Sequence, residues 1–397
     1  MSLLSGVLTE FDTRLLDIGQ AVIHSDLALG VLVRVAVAQQ ADFVQAVQKT
    51  LADAGALHRI TAVSRDEYLR WLAASGQPRF ILTLLALGDG VAPLHSVSTQ
   101  LFKYGLNIDT VRRLTDRGRV DDQDRKEQIC IEMRLRGSAD QLVALRDSLM
   151  GEAHRLDFDF SLQEDTVFRR NRRLVAFDMD STLITQEVID ELAARHGVGE
   201  QVADITRRAM AGELDFEASF RERSRQLAGM PVSLLEEVAN AVSLNSGARR
   251  LLRALHYFGY KTAVISGGFQ YVGDHLQQQL GIDYVFANKL VSENGVMTGE
   301  VDGTIVTAAR KAELLEQVCQ QEGIGLGQAI AIGDGANDLP MLGKAGLGVA
   351  FHAKPLVRES ARHAISRFGL DAILYLIGFS DRDIEQALSK EASSEGA

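Results

Sequence analysis

The sequence predicts an α/β fold in which a parallel sheet carries an inserted helical cap, preceded by ferredoxin-like α+β structure. Three observations carry this. Beyond residue 173, short apolar runs alternate with segments of helical period, the pattern of a parallel sheet covered on both faces. Residues 187–240 interrupt that alternation with 54 residues of helical pattern and no strand, as an inserted cap does. Residues 78–162 follow the order βαββαβ, the ferredoxin-like split βαβ arrangement.

Taken in chain order, residues 30–37, 42–54 and 57–64 read as strand, helix and strand, and 65–74 as a helix. Residues 1–76 are therefore either a degenerate copy of the ferredoxin-like unit or a separate N-terminal extension. The second unit, 77–168, starts with a buried strand at 78–86 and a helix at 91–104. Alternating strands follow at 106–114 and 128–135, joined by a charged hairpin loop at 115–127. A helix at 139–150 precedes a last strand at 154–162, where Leu156, Phe158 and Phe160 share one face. The run Arg169-Arg170-Asn171-Arg172-Arg173 after the acidic 163–165 reads as a solvated connector, which starts the third unit, 169–397. Its strands are expected at 174–177, 261–265, 329–332 and 347–350, with the cap at about 187–243. Glu293-Asn294-Gly295 marks a hairpin turn within 284–301.

Composition narrows the class. Apolar residues make up 46% and charged residues 24%, ordinary for a globular protein. The longest stretch without Asp, Glu, Lys or Arg is the 13 residues 90–102, whereas a membrane-spanning helix needs about 20 apolar residues. The first 13 residues carry Glu10 and Asp12 and no basic start, unlike a secretory signal. A net charge of −11 argues against a protein that coats nucleic acid or anionic lipid. Cys130 and Cys319 are too far apart for a zinc motif and too few for a disulfide framework, so a cytoplasmic enzyme or sensor is expected.

Four polar features follow predicted strands, at the edge where open α/β sheets bind ligands. Asp178-Met179-Asp180-Ser181-Thr182 places two carboxylates where one can attack and the other move a proton; the same pair also suits a helix-capping turn. Ser266-Gly267-Gly268-Phe269 offers a hydroxyl and close backbone N–H groups to a phosphate, or simply a tight strand–helix junction. Lys311, near a helix start, opposes the helix dipole, although most lysines are merely exposed. Gly333-Asp334-Gly335-Ala336-Asn337-Asp338 presents oxygens suited to a hard cation such as Mg²⁺, or an Asx-rich turn. No G-x-G-x-x-G is present, and Gly343-Lys344-Ala345 lacks the pattern of a P-loop.

In this order the four features resemble the motifs of the haloacid dehalogenase (HAD) superfamily, whose core is Rossmann-like. The resemblance implies that Asp178 is the nucleophile and Asp180 the general acid and base. It implies Mg²⁺ on Asp178, Asp334 and the Asp180 main-chain carbonyl, with Asp338 supporting the metal shell. Ser266, Gly267, Lys311 and Asn337 would hold the phosphate and its surroundings. Uncatalysed phosphate-monoester hydrolysis needs acceleration of up to about 10²¹-fold. One general acid supplies only about 10²–10⁴, so covalent and charge stabilisation must supply the rest.

Within that superfamily the cap resembles that of phosphoserine phosphatases, on Glu187, Met210, Phe216 and Arg223. Glu187 would meet the substrate ammonium and Arg223 its carboxylate, which a guanidinium binds in a two-pronged fork. Arg221 competes for that role. Phe216 and Met210 would cover the site. The resemblance implies hydrolysis of O-phospho-L-serine to L-serine, the last step of serine biosynthesis. Transfer to another hydroxyl acceptor such as homoserine, or a non-catalytic amino-acid sensor, are the alternatives. The βαββαβ unit resembles an ACT domain, with Gly88-Asp89 at the effector turn; this implies a homodimer with L-serine as effector.

Overall fold

The computed structural model describes residues 2–23, 26–116 and 128–394. They fall into two compact units that divide between Gly76 and Gln77. Most of the charged loop expected at 115–127 lies outside the described residues.

The first unit differs from the expected βαβ order. A helix, Ser2–Glu10, precedes an antiparallel hairpin of β1 (Thr13–Ile23) and β2 (Asp26–Val35). The helix Gln40–Asp53 closes a small core around Val7, Phe43 and Val47. No strand forms at 57–64: Leu57, Ile60 and Val63 are exposed, and β2 already has β1 as its partner. The helix Arg65–Ser75 starts where expected because Ser64 and Glu67 cap it reciprocally. The Glu67 N–H donates to Ser64 Oγ at 3.2 Å and the Ser64 N–H to Glu67 Oε2 at 2.8 Å.

The second unit is built on one sheet of eleven strands. Its ferredoxin-like part comprises β3 (Arg79–Leu87), β4 (Asn107–Arg113), β5 (Gln128–Arg136) and β6 (Asp159–Glu164), ordered β6-β3-β5-β4 and antiparallel throughout. Helices Val91–Lys103 and Leu142–Leu156 cover one face, burying Phe80, Leu82, Leu84, Leu101 and Leu149. The strand expected at 154–162 starts later. Helix continues to Leu156, whose side chain packs on the same core and so imitates strand alternation; Asp157, at φ 59°, then ends the helix in the left-handed conformation.

The remaining strands are β7 (Leu174–Phe177), β8 (Lys261–Phe269), β9 (Tyr284–Glu293), β10 (Val296–Asp302), β11 (Ala329–Gly333), β12 (Leu347–Phe351) and β13 (His363–Ile365). Their order is β10-β9-β8-β7-β11-β12-β13, parallel except for the β9–β10 hairpin. Asn294 and Gly295 turn that hairpin with φ of 49° and 81°, as a tight primed turn requires. Four helices, Val188–His196, Gly199–Met210, Phe216–Gln226 and Val232–Ala241, form the expected insertion between β7 and β8.

The connector at 169–173 is a correction. Arg169 and Arg172 are only 6% and 4% exposed. Strand β13 pairs with β6 through Ala364 and Phe160, so the two sheets fuse and the connector threads the seam. Arg169 donates to Glu132 at 2.7 Å and Arg172 to Gln163 at 2.9 Å. On the far face of the ferredoxin-like sheet, Leu85, Leu114 and Cys130 join the main core of the half built on β7–β13. No helix among the described residues is long and apolar enough to cross a membrane.

Candidate active site

Strands β7, β8 and β11 lie side by side, and their carboxyl ends bring three of the four sequence features together. β7 and β11 are apolar and buried along their length, and β8 is apolar and buried from Ala263 to Ile265, so each motif begins where an apolar run stops. Asp178 follows β7 directly, and its Oδ1 accepts the Met179 N–H at 2.8 Å. The next turn holds Ser181 at φ 57°, which reverses the chain toward the cap. The fourth feature, Lys311, enters from the helix Ala308–Gln321. Its position near the helix start is explained by its partners: fully buried, Nζ lies 2.8 Å from Asp178 Oδ1 and 2.7 Å from Asp338 Oδ1. Burial opposes that charge, but the two carboxylates more than offset it and hold the ammonium above its ordinary range.

The acidic groups have distinct environments. Asp180 is half-buried, and desolvation of its carboxyl, then the charges of Glu187 and Asp178, raise it well above the usual range. Its Oδ1 is buried without a hydrogen-bond partner among the described residues. A Cβ on Gly268 would lie 2.6 Å from Asp180 Oδ2, so glycine there makes room for the acid. Asp334 is pushed up to about 6 by burial and by Asp178, while Thr182 donates to it at 3.1 Å. Asp338 is pushed up to about 7, by burial first, and its Oδ2 accepts the Gly335 N–H at 3.0 Å. One carboxylate oxygen from each of Asp178, Asp334 and Asp338 lies within 4.8 Å of the other two.

That cluster fits a hard divalent cation. All three donors are carboxylate oxygens, and Lys311 neutralises Asp178 and Asp338 but makes no ion pair with Asp334. The side chain of Asp180 is not part of the cluster; its expected contribution is a main-chain carbonyl.

Ser266 is fully buried, its Oγ accepting the Gly268 N–H at 2.9 Å. Asn288 on β9 braces this turn, donating to the Gly267 carbonyl at 2.8 Å and accepting the Val306 N–H at 2.8 Å. Asn337 is half-buried on the turn before Asp338.

On the cap side, Glu187 is exposed but accepts from Ser181 Oγ at 2.7 Å, and partial desolvation of its carboxyl raises it above the usual range. Arg223 is half-buried, with an unpartnered Nε among the described residues, and it faces the charges of Asp190, Glu187 and Asp180. Arg221 is already engaged by Glu217 at 2.8 Å, one helical turn away, which leaves Arg223 as the guanidinium directed to the site. Phe216 stacks on Phe220, which in turn meets Phe269 at 5.6 Å; a Cβ on Gly267 would come within 2.9 Å of the Phe216 ring, so Phe216 lies over that turn. Met210 departs from expectation. It ends its helix with 75% exposure, just before the turn through Ala211 and Gly212, at φ 81°, so it is not packed over the site as Phe216 is. In the ferredoxin-like part, Gly88 adopts φ 84° and Asp89 Oδ1 accepts the Val91 N–H at 3.0 Å, capping the next helix.

Comparison with known proteins agrees with this arrangement. The haloacid dehalogenase-like hydrolase family matches residues 175–343, and the ACT domain family matches residues 1–63. A phosphoserine phosphatase of Mycobacterium tuberculosis is 36% identical over 391 residues, covering 97% of this chain and 91% of its own length. Another, from Streptomyces coelicolor, is 41% identical, with coverage of 79% and 73%. The chain belongs to the phosphoserine phosphatase family. Among solved structures of this kind, the unliganded probable phosphoserine phosphatase of Vibrio cholerae is 32% identical with a TM-score of 0.59, covering 80% of this chain and 90% of that one. A HAD family hydrolase of Salmonella enterica reaches a TM-score of 0.66 at 30% identity, covering 76% and 98%. The ACT match over 1–63 supports the reading of the first unit as a copy of that domain rather than an unrelated extension, although its described elements do not follow the full βαββαβ order.

Sequence reasoning missed Asn288 and Asp190 of this phosphatase site. Neither belongs to a strand-end motif. Asn288 lies within a strand, where a register shift sets it opposite Phe269, and nothing local signals that.

Proposed function

We propose that this site hydrolyses O-phospho-L-serine to L-serine and phosphate through an aspartyl-phosphate on Asp178. One observation carries the reading. Lys311 and the Met179 N–H both hold Asp178 Oδ1, which leaves Oδ2 to attack, beside an Asp180 whose carboxyl burial raises well above the usual range. In the first step Oδ2 bonds to phosphorus as the phosphorus–seryl oxygen bond breaks, and the Asp180 proton goes to the departing oxygen. Asp180, now ionised, takes a proton from water, which attacks phosphorus and returns Asp178 as a carboxylate. The Asp180 proton is thereby restored.

Asp178, Asp334 and Asp338 would hold Mg²⁺, with the Asp180 carbonyl as a further ligand; bound there, it would place positive charge against the phosphoryl oxygens. Lys311, Ser266 and the Gly267 N–H would bind those oxygens. Glu187 would receive the substrate ammonium and Arg223 its carboxylate, and Phe216 would shield the reacting group from water. Two buried free cysteines suit a reducing cytoplasm. In the same reading the enzyme ends serine biosynthesis, and its ACT-type units form a homodimer that senses L-serine at Gly88-Asp89.

The test is phosphate release from O-phospho-L-serine, phosphothreonine, phosphotyrosine and sugar phosphates, with Mg²⁺ and with EDTA. Metal-dependent preference for phosphoserine is expected. Preference for another phosphate would remove Glu187 and Arg223 as selectors.

A further inference from the structure

A second basic site lies at the seam between the ferredoxin-like and phosphatase parts, apart from the Asp178 centre. It is a cavity of about 460 Å³, a volume that suits a small metabolite. Its lining brings Arg146, from the helix Leu142–Leu156, together with Arg358 and Arg362, from the segment between β12 and β13.

Among the described residues none of these three arginines forms an ion pair; the opposite charge that acts on Arg146 is Asp147, its neighbour on the helix, outside the lining. Arg146 spends its Nη2 on the main-chain carbonyls of Glu359 and Ala361, at 3.1 and 2.7 Å, and its buried Nε has no partner among the described residues. Carbonyls do not neutralise a guanidinium. Of the two lining acids, Asp159 is tied to the Ser366 and Arg367 N–H groups at 2.9 and 2.8 Å, and Glu359, like Arg362, is exposed. A fourth arginine on the lining, Arg367, is paired with Asp157. Met150, Phe158 and Phe160 supply apolar lining. Burial first, and then the charges of Arg172, Arg146 and Arg362, press the imidazole of His363, next to Arg362 in the chain, down to about 3.

We propose that this cavity binds a small organic phosphate, its dianion held by Arg146, Arg358 and Arg362 and its carbon body resting on Met150, Phe158 and Phe160. Guanidinium forks match phosphate oxygens, and a dianion offsets uncompensated arginines better than a single carboxylate does. The occupant would bridge both halves of the sheet, beside the Ala364–Phe160 pairing that joins them.

The test compares the full chain with the Arg358→Gln/Arg362→Gln double variant, which leaves Arg146 and its carbonyl contacts intact. Equilibrium dialysis with labelled inorganic phosphate, in EDTA to hold turnover off, should show one phosphate fewer per chain in the variant. Affinity at that site should fall at least about a hundredfold, since charged hydrogen bonds contribute about 1.5–3 kcal/mol each. Phosphoserine kcat and competitive inhibition by phosphate should be unchanged. Glycerol phosphate should displace the label from the second site at lower concentration than succinate. Equal stoichiometry in both proteins would overturn the site, and stronger displacement by succinate would overturn the ligand class.

Discussion

Lys311 Nζ lies 2.8 Å from Asp178 Oδ1 in a fully buried position, so a single ammonium balances that carboxylate and occupies one of its two oxygens. Replacement by methionine keeps the volume but strands Asp178 and Asp338 as buried anions. Breaking a buried pair in this way costs about 3–5 kcal/mol, and loss of a charge aimed at the phosphoryl group lowers kcat by about 10² or more. Denaturant unfolding and steady-state rates on Lys311→Met check both effects. A variant of wild-type kcat would remove Lys311 from the reaction.

Arg223 and Arg221 make a paired comparison on one helix. Arg223→Ala should raise KM for phosphoserine about 10–100-fold, the worth of one charge-assisted contact, and change KM for an aryl phosphate little. Arg221→Ala should change neither, because Arg221 is engaged by Glu217. Equal KM increases on both substrates for Arg223→Ala would show that it does not read the carboxylate.

The seam gives a prediction about stability. Glu132→Ala leaves Arg169, 6% exposed, without its anion, at a cost of about 3–5 kcal/mol. Phosphoserine kcat should stay within about twofold, since the pair is far from the motifs. Calorimetry against rate data tests this, and an unchanged melting temperature would mean that the seam is looser than its geometry implies.

His363 ties stability to pH. Its imidazole is pushed down to about 3, by burial first, whereas in the unfolded chain it titrates near 6.5. Below about 6.5 the unfolded state binds the extra proton, so this contribution is complete above that pH and lost progressively as pH falls toward 3. By pH 5.5 the loss is about 1.4 kcal/mol. His363→Gln should flatten the slope of unfolding free energy between pH 7.5 and 5.5 by about that amount; an identical slope would show that the ring is not held neutral.

How far the sequence was legible follows from where its signals originate. Asp178, Ser266 and Asp334 were readable because each stands at the abrupt end of an apolar strand, where a polar residue has little structural reason to be. Lys311 was readable because its charge opposes the helix dipole. The Asn294-Gly295 turn was readable from backbone chemistry alone. Long-range pairing leaves no such local trace. The arginines at 169–173 look like a solvated linker until β13 pairs with β6 and encloses Arg169 and Arg172, leaving Arg170 and Arg173 exposed. Leu156 keeps time with Phe158 and Phe160 although it belongs to a helix, because both elements face one core. The segment 57–64 alternates like a strand, yet β2 has taken β1 as its partner. Met210 has a place in the cap motif, but the turn after its helix carries it outward.

The most direct measurement is of the covalent intermediate itself. Phosphoserine would be mixed with enzyme, the reaction quenched in acid during turnover, and the protein reduced with borohydride, which converts an aspartyl-phosphate to homoserine. Peptide mapping should place homoserine at position 178 and nowhere else, with none in Asp178→Asn, which should be folded and inactive. Modification at Asp180 or Asp334 instead, or turnover by Asp178→Asn at half the wild-type rate, would contradict the assignment of Asp178 as nucleophile.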